Sequence, residues 1–371
     1  MPASAGAAYV IQQPTELVDA LLAQGWRVVG PRERNGAIVY EEIANGSELP
    51  RGRTDEQGPA RYRLTDGDPD RWFDYVVGPQ SWKKWLFPAR QKLWSASRAD
   101  DGFAVEEPEE VYPKTAFIGV RACEIAAIQV QDKVFDNGDF ADTGYGMRRE
   151  NTMIVAVQCA RSADTCFCAS MNTGPRAESG FDLALTELDG EFLLECGTAK
   201  GADVLAAVTM ADAQPGHVEA ASRVTAQAAE SQSRKIAPGI ASLLADNLEH
   251  PRWDDVADRC MSCANCTLAC PTCFCTDVED TNDLQGDNTE RWRTWDSCFT
   301  LDFSYIHGGA VRRSTRSRYR QWMTHKLSSW HDQFGTSGCV GCGRCIAWCP
   351  VGIDITEEAA AIAAAPAEQE A

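Results

Sequence analysis

Two segments of this chain share one cysteine spacing, and nothing else in it constrains the fold as much. The first is Cys260-x2-Cys263-x2-Cys266-x3-Cys270-Pro271; the second is Cys339-x2-Cys342-x2-Cys345-x3-Cys349-Pro350. Three thiols at this spacing wrap a loop around one iron–sulfur cubane. The fourth begins a helical turn that points away, toward a second cubane. The proline fixes the backbone behind that ligand. The spacing predicts two 4Fe–4S clusters with crossed wiring. Cys260, Cys263, Cys266 and Cys349 hold one, and Cys339, Cys342, Cys345 and Cys270 hold the other. Zinc is the competing occupant, but it usually takes two C-x2-C pairs from separate strands. Here each segment offers four thiols and a proline. Gly341 and Gly343 are expected to let backbone N–H groups approach the sulfurs.

The chain has 16 cysteines in 371 residues. In a reducing compartment, such usage points to metal ligands or redox chemistry rather than disulfides. The start, Met1 to Gly6, lacks a basic region followed by an apolar run, so no secretory leader is expected. Apolar runs such as Met153–Val157 fall far short of the ~20 residues of a membrane helix. The expectation is a cytoplasmic protein without a membrane partner. Lys and Arg number 35 against 54 Asp and Glu, for a net charge of −19. That balance argues against nucleic-acid binding and favours a protein partner chosen by charge. An RNA-binding reading of the basic segment described below is disfavoured for the same reason.

The expected fold is an α/β N-terminal domain followed by an α-helical ferredoxin-like dicluster domain. Residues 1–110 read as a mixed α/β lead-in, with helical spacing from Thr15 to Leu22 and strands on either side of Asn35-Gly36. Residues 111–235 read as an α/β domain. The apolar runs 115–120 and 152–157 flank a helical pattern, and 182–188 with 191–194 form a hairpin across Asp189-Gly190. Residues 236–371 read as helical, with a long insertion, 271–338, between the motifs.

Cys123 and Cys159 each follow one of the two apolar runs. If a right-handed crossover makes those strands parallel neighbours, their carboxyl ends meet, where open α/β sheets place their sites. Cys166 and Cys168 leave the second strand and could complete four ligands. The expectation is a third cluster on Cys123, Cys159, Cys166 and Cys168, away from the ferredoxin-like module and serving as a port for electrons. Against it stands a scatter of reduced buried thiols. Cys273, Cys275 and Cys298 form a partial group, and Cys196 stands alone in a strand; none of these four is assigned.

The insertion carries an acidic loop with Asp277, Glu279, Asp280, Asp283, Asp287 and Glu290. Between Phe303 and His331 there is no acid, but Arg312, Arg313, Arg316, Arg318, Arg320 and Lys326 appear. Tyr319, Trp322, Met323, Leu327 and Trp330 recur at helical spacing. Two readings stand side by side: a solvated basic face packing on the cluster domain, or a docking surface for an acidic partner or conduit for a negatively charged redox carrier. There is no G-x-G-x-x-G and no P-loop to bind a nucleotide. No nucleophile–base constellation stands out.

The stretch Gln333–Asp354, with Gly119-Val120-Arg121-Ala122-Cys123, Thr165-Cys166-Phe167-Cys168, Gly180–Ala184 and Cys270-Pro271-Thr272-Cys273-Phe274-Cys275, resembles the beta subunit of cytoplasmic NAD(P)-linked nickel–iron hydrogenases, or sulfhydrogenases. It is also similar to the electron-transfer subunit of anaerobic sulfite reductase. One departure is Ala122, where the family leads one to expect proline. The resemblance implies an iron–sulfur electron-transfer subunit beside a flavin subunit that handles NAD(P)H. In the hydrogenase case, small and large subunits complete the complex, the large one holding nickel. The alternative is the same relay feeding a sulfite or sulfur reductase. The paired C-x2-C nickel motifs are absent, so no catalytic residue is expected here.

Overall fold

The computed structural model describes residues 3–100 and 102–364. Its largest element is an eight-stranded mixed sheet. Arg27–Arg34, Thr115–Val120, Thr152–Val157 and Leu183–Glu187 run parallel as neighbours. Ala37–Glu42 closes one side, antiparallel to Arg27–Arg34; Phe192–Cys196, Ala8–Ile11 and Ala211–Asp212 close the other. Strands from both sides of residue 110 thus share one sheet.

The three central strands are buried at every residue, as parallel strands covered on both faces must be. Ala116, Ile118, Val155 and Leu185 pack on one face against Leu17 and Leu21 of the helix Thr15–Ala23. Phe117, Ile154 and Ala184 pack on the other against Ile125 and Ile128 of the helix Ala122–Phe135. That helix begins directly behind Thr115–Val120 and leads back toward Thr152–Val157, which brings the two strand ends together.

A second sheet departs from the helical pattern expected after residue 236. Thr276–Asn282 and Asn288–Trp295 form a hairpin where an acidic loop is expected, and Asn288–Trp295 also pairs with Arg90–Ala99. Several of its acids are spent locally: Asp280 pairs with Arg291, Glu290 with Lys92 and Asp287 with Arg98. Asp283 accepts from the Asp287 amide at the hairpin tip.

The rest of the C-terminal third is helical. Ile240–Asp246, Arg252–Arg259, Thr315–Thr324 and Ile355–Ala364 pack around Trp253, Val256, Trp322, Met323 and Ile346. The helix Thr315–Thr324 passes through a π-helical turn, His325–Ser329, into Trp330–Phe334. Such a turn rotates the side chains that follow it. Among the described residues, no helix is long and apolar enough to cross a membrane.

Candidate metal centres

The first motif leaves the helix Arg252–Arg259 and turns through Ser262 and Ala264, both at positive φ. That turn brings Cys260, Cys263 and Cys266 onto one cavity, and Cys349 of the second motif joins them there. Phe299, Tyr319, Trp322 and Ile353 supply apolar walls, and Cys345 also reaches the lining. Backbone N–H groups point at the sulfurs: Ser262 N donates to Cys260 Sγ at 3.4 Å and Ile353 N to Cys349 Sγ at 3.3 Å. Burial pushes the Cys266 thiol well up, and the neighbouring Cys260, Cys349 and Cys263 push it further. Thiolates crowded like this repel one another unless a cationic core lies between them. The donor set therefore fits an iron–sulfur cluster.

The second set is deeper. Cys270, Cys339 and Cys342 are buried. Burial raises Cys345 strongly, followed by the influence of Cys339, Cys342 and Cys270, so these four are mutual neighbours. Gly341 N donates to Cys339 Sγ at 3.5 Å, as expected for this loop. Lys326, grouped in the sequence with a basic face, is buried here instead. Its Nζ donates to Cys270 Sγ at 3.3 Å, to Thr272 Oγ1 at 3.1 Å and to the Gly338 carbonyl at 3.1 Å. Burial opposes its charge, but the thiols of Cys270, Cys273 and Cys339 more than restore it, and its pKa rises. Burial raises the Cys339 thiol to about 12 despite this ammonium. Cys270 is held well below the usual thiol range, first by a hydrogen bond from Cys273.

The third set is assembled by the parallel strands. Cys123 opens the helix Ala122–Phe135, Cys159 follows Thr152–Val157, and Cys166 and Cys168 lie on the loop beyond. Burial raises Cys123 and Cys166 strongly, and Cys168 and Cys159 figure among the groups that raise each further. Cys168 rises to about 12 through burial, while the Gln232 amide, donating at 3.2 Å, works against the shift.

This set does not lie away from the dicluster motifs. Cys342 stands near Cys123, Cys166 and Cys168. Phe167 N donates to the Gly341 carbonyl at 2.9 Å, and Thr173 Oγ1 to that of Val340 at 2.7 Å. A Cβ on Gly341 would lie 2.6 Å from the Cys168 amide nitrogen, and one on Gly343 would strike the Thr165 carbonyl. These glycines therefore let two backbones meet, beyond any role toward the sulfurs. The third set therefore adjoins the second motif, with Cys159 its only partly exposed thiol.

Between the second and third sets lies a feature that spacing did not reveal. Arg344, next to Cys345, forms a fully buried ion pair with Glu124, next to Cys123. Arg344 also donates to the Gly78 carbonyl at 2.9 Å and the Gln80 carbonyl at 2.7 Å. Glu124 accepts from Tyr40 Oη at 2.9 Å and Trp82 Nε1 at 3.1 Å. The only signal in the sequence was a charged residue beside a candidate ligand at both positions.

Of the unassigned thiols, Cys275 falls to about 7 through a hydrogen bond from Cys298. Cys196 is buried in the large sheet and donates to the Thr198 carbonyl at 3.4 Å. Among the described residues, no three His, Cys, Asp or Glu side chains close on one point as a single-ion site would.

Residues 259–353 match the family model of a 4Fe-4S dicluster domain. Over 338 residues the chain is 33% identical to sulfhydrogenase 2 subunit beta of Pyrococcus furiosus, covering 88% of this chain and 90% of that protein. No solved structure matches.

Proposed function

Because the chain belongs to the sulfhydrogenase beta-subunit family, we infer that it is the iron–sulfur electron-transfer subunit of a hydrogenase complex. Its partners in this reading are a flavin subunit that binds NAD(P) and the small and large nickel–iron subunits. The observation that carries the reading is the contiguity of three four-thiol sets. Cys345 of the second set lines the cavity of the first, and Cys342 of the second adjoins the third. We assign Cys260, Cys263, Cys266 and Cys349 to one 4Fe–4S cluster. Cys339, Cys342, Cys345 and Cys270 are assigned to another, and Cys123, Cys159, Cys166 and Cys168 to a third. In this reading residues 236–371 form a helical ferredoxin-like module with a β-hairpin insertion, resting on the α/β sheet. The thiol content suits a reducing cytoplasm.

When bound, the clusters supply one-electron transfer. The chain's own residues do the rest. Thiolates fix the irons, and Phe299, Tyr319 and Trp322 keep water from the first set. Amides of Ser262, Gly341 and Ile353 donate to sulfurs and so favour the reduced state, and Lys326 adds a positive charge beside the second set. The test is anaerobic reconstitution of the full chain, followed by iron analysis. We expect about 12 irons, from three cubanes of four, falling by about four in C166S/C168S. The brown subunit should take up electrons without oxidising hydrogen or NAD(P)H. Turnover of either by the pure chain would overturn the relay reading, and about eight irons, unchanged in C166S/C168S, would remove the third cluster.

A further inference from the structure

The three thiol sets differ in how they meet the surface. Cys123, Cys166, Cys168, Cys270, Cys339 and Cys342 are buried, whereas Cys263 is exposed and Met261 beside it lies open. Electron transfer weakens steeply with distance, so, while Cys159 and Cys345 of the other sets are only partly exposed, the set with an exposed thiol is one that can exchange electrons with another protein. Around its mouth the chain is apolar and basic. Phe299 lines the cavity and leads to exposed Leu301, then to the small hairpin of Tyr305–Ile306 and Gly309–Ala310. Tyr305, Ile306 and Val311 are all exposed there.

Arg312 and Arg313 follow directly after this hairpin. Arg318 ties them to the first motif, donating to Ser262 Oγ at 3.3 Å and to the Arg313 carbonyl at 3.1 Å. The other arginines of this stretch are spent: Arg316 and Arg320 both pair with Glu249, and Arg316 also with Asp254. Among the described residues, neither Arg312 nor Arg313 is in an ion pair, and no acid occurs between Phe303 and His331. In a chain of net charge −19, the stretch from Phe303 to His331 is a local reversal of sign beside the set whose Cys263 is exposed, with exposed Asp302 just ahead of it. Apolar residues edged by unpaired charge of one sign mark a docking surface selected by electrostatics.

We propose that this face docks an acidic one-electron carrier protein, and that electrons pass there between the carrier and the set of Cys260, Cys263, Cys266 and Cys349. One electron crosses, oxidising one side as it reduces the other; no bond forms or breaks. The proposal rests on the relay reading and specifies where that relay opens.

The test uses the full, cluster-loaded chain, with flavodoxin as the acidic probe and cytochrome c as the basic one. Binding is measured by calorimetry, and electron transfer from the reduced chain by stopped flow. Wild-type affinity for flavodoxin should fall steeply with added salt. R312E/R313E should lose about tenfold or more in affinity at low salt, with iron content unchanged, and should bind cytochrome c more tightly than the wild type does. I306S/V311S should weaken flavodoxin binding at every salt concentration. Salt-independent wild-type binding would overturn the proposal without any variant. So would unchanged flavodoxin affinity in R312E/R313E. A reduced chain that passes electrons to neither probe would instead count against the relay reading itself. Transfer that proceeds but ignores both substitutions would sink only the docking face.

Discussion

The two cysteine motifs repeat each other in backbone but not in surroundings. Ser262 and Ala264 in the first sit at φ +51° and +67°, and Gly341 and Gly343 in the second at +64° and +75°. The same loop is drawn twice. Met261 is 65% exposed, whereas its counterpart Val340 is 3% exposed; exposed Asn265 corresponds to fully buried Arg344. The first copy has room for side chains at its left-handed turns, Ser262 half-buried and the small Ala264 buried in the helical core. The second is pressed against the loop of Cys166 and Cys168, where a side chain at the same positions has no room. One local code therefore yields an open centre and a closed one, depending on what packs against it.

The largest effects should come from the crossing of the wiring, which makes the two motifs interdependent. C270S should disturb the same spectral features as C342S, with loss of a whole cluster, and leave those disturbed by C263S. Electron paramagnetic resonance of the reduced variants decides this; matching spectra for C270S and C263S would mean that each motif serves its own cluster.

The glycines sharpen the comparison next. G343A drives a Cβ into backbone and keeps a strained φ, so it should destabilise the chain by about 3–5 kcal/mol. A264G at the equivalent position relieves a positive φ but loses a buried methyl, so it should change stability by no more than about 1 kcal/mol. Denaturant unfolding of both loaded proteins measures the difference. Equal effects would deny the contrast.

The buried pair of Arg344 and Glu124 comes next. R344M leaves a carboxylate without its countercharge in a dry site and should cost about 3–5 kcal/mol. R344M/E124M should cost less than the single change, although Tyr40 and Trp82 lose an acceptor. A double variant as costly as the single or more so would show that the loss does not come from an unpaired buried carboxylate.

The smallest effect is electronic. K326M removes a positive charge beside Cys270, so the cluster disturbed by C342S should become harder to reduce. Its midpoint potential should move negative in a redox titration while that of the first set moves less. No shift would mean that Thr272 and the backbone dominate.

Much of this was legible in the chain. The runs 115–120 and 152–157 are apolar throughout because strands covered on both faces have no polar side to show, so their place as parallel neighbours could be read. The dicluster motif could be read from its spacing as well. The sheet joining 90–106 to 276–295 could not be read, because its strands alternate acids, arginines and tryptophans whose logic is the partner strand. Lys326 looked like a member of a basic face. Only the π-helical turn and the packing of Gly338 and Thr272 make it a buried cation. The meeting of Gly341 with Cys168 is likewise a fact of tertiary contact, and glycine in a turn is ambiguous until its neighbour is known.

The second sheet also sets a schedule for the chain as it leaves the ribosome. Lys92 and Glu290 lie 198 positions apart, and synthesis runs at about 5–20 residues per second, so Arg90–Ala99 waits on the order of 10–40 s for its partner strand. During that interval one edge of the strand is unpaired, the kind of edge on which nascent chains aggregate. Charges at Arg90, Lys92 and Arg98 guard it. Cys349 is made later still, so the open centre receives its last ligand only when the sheet that braces the insertion can already have formed.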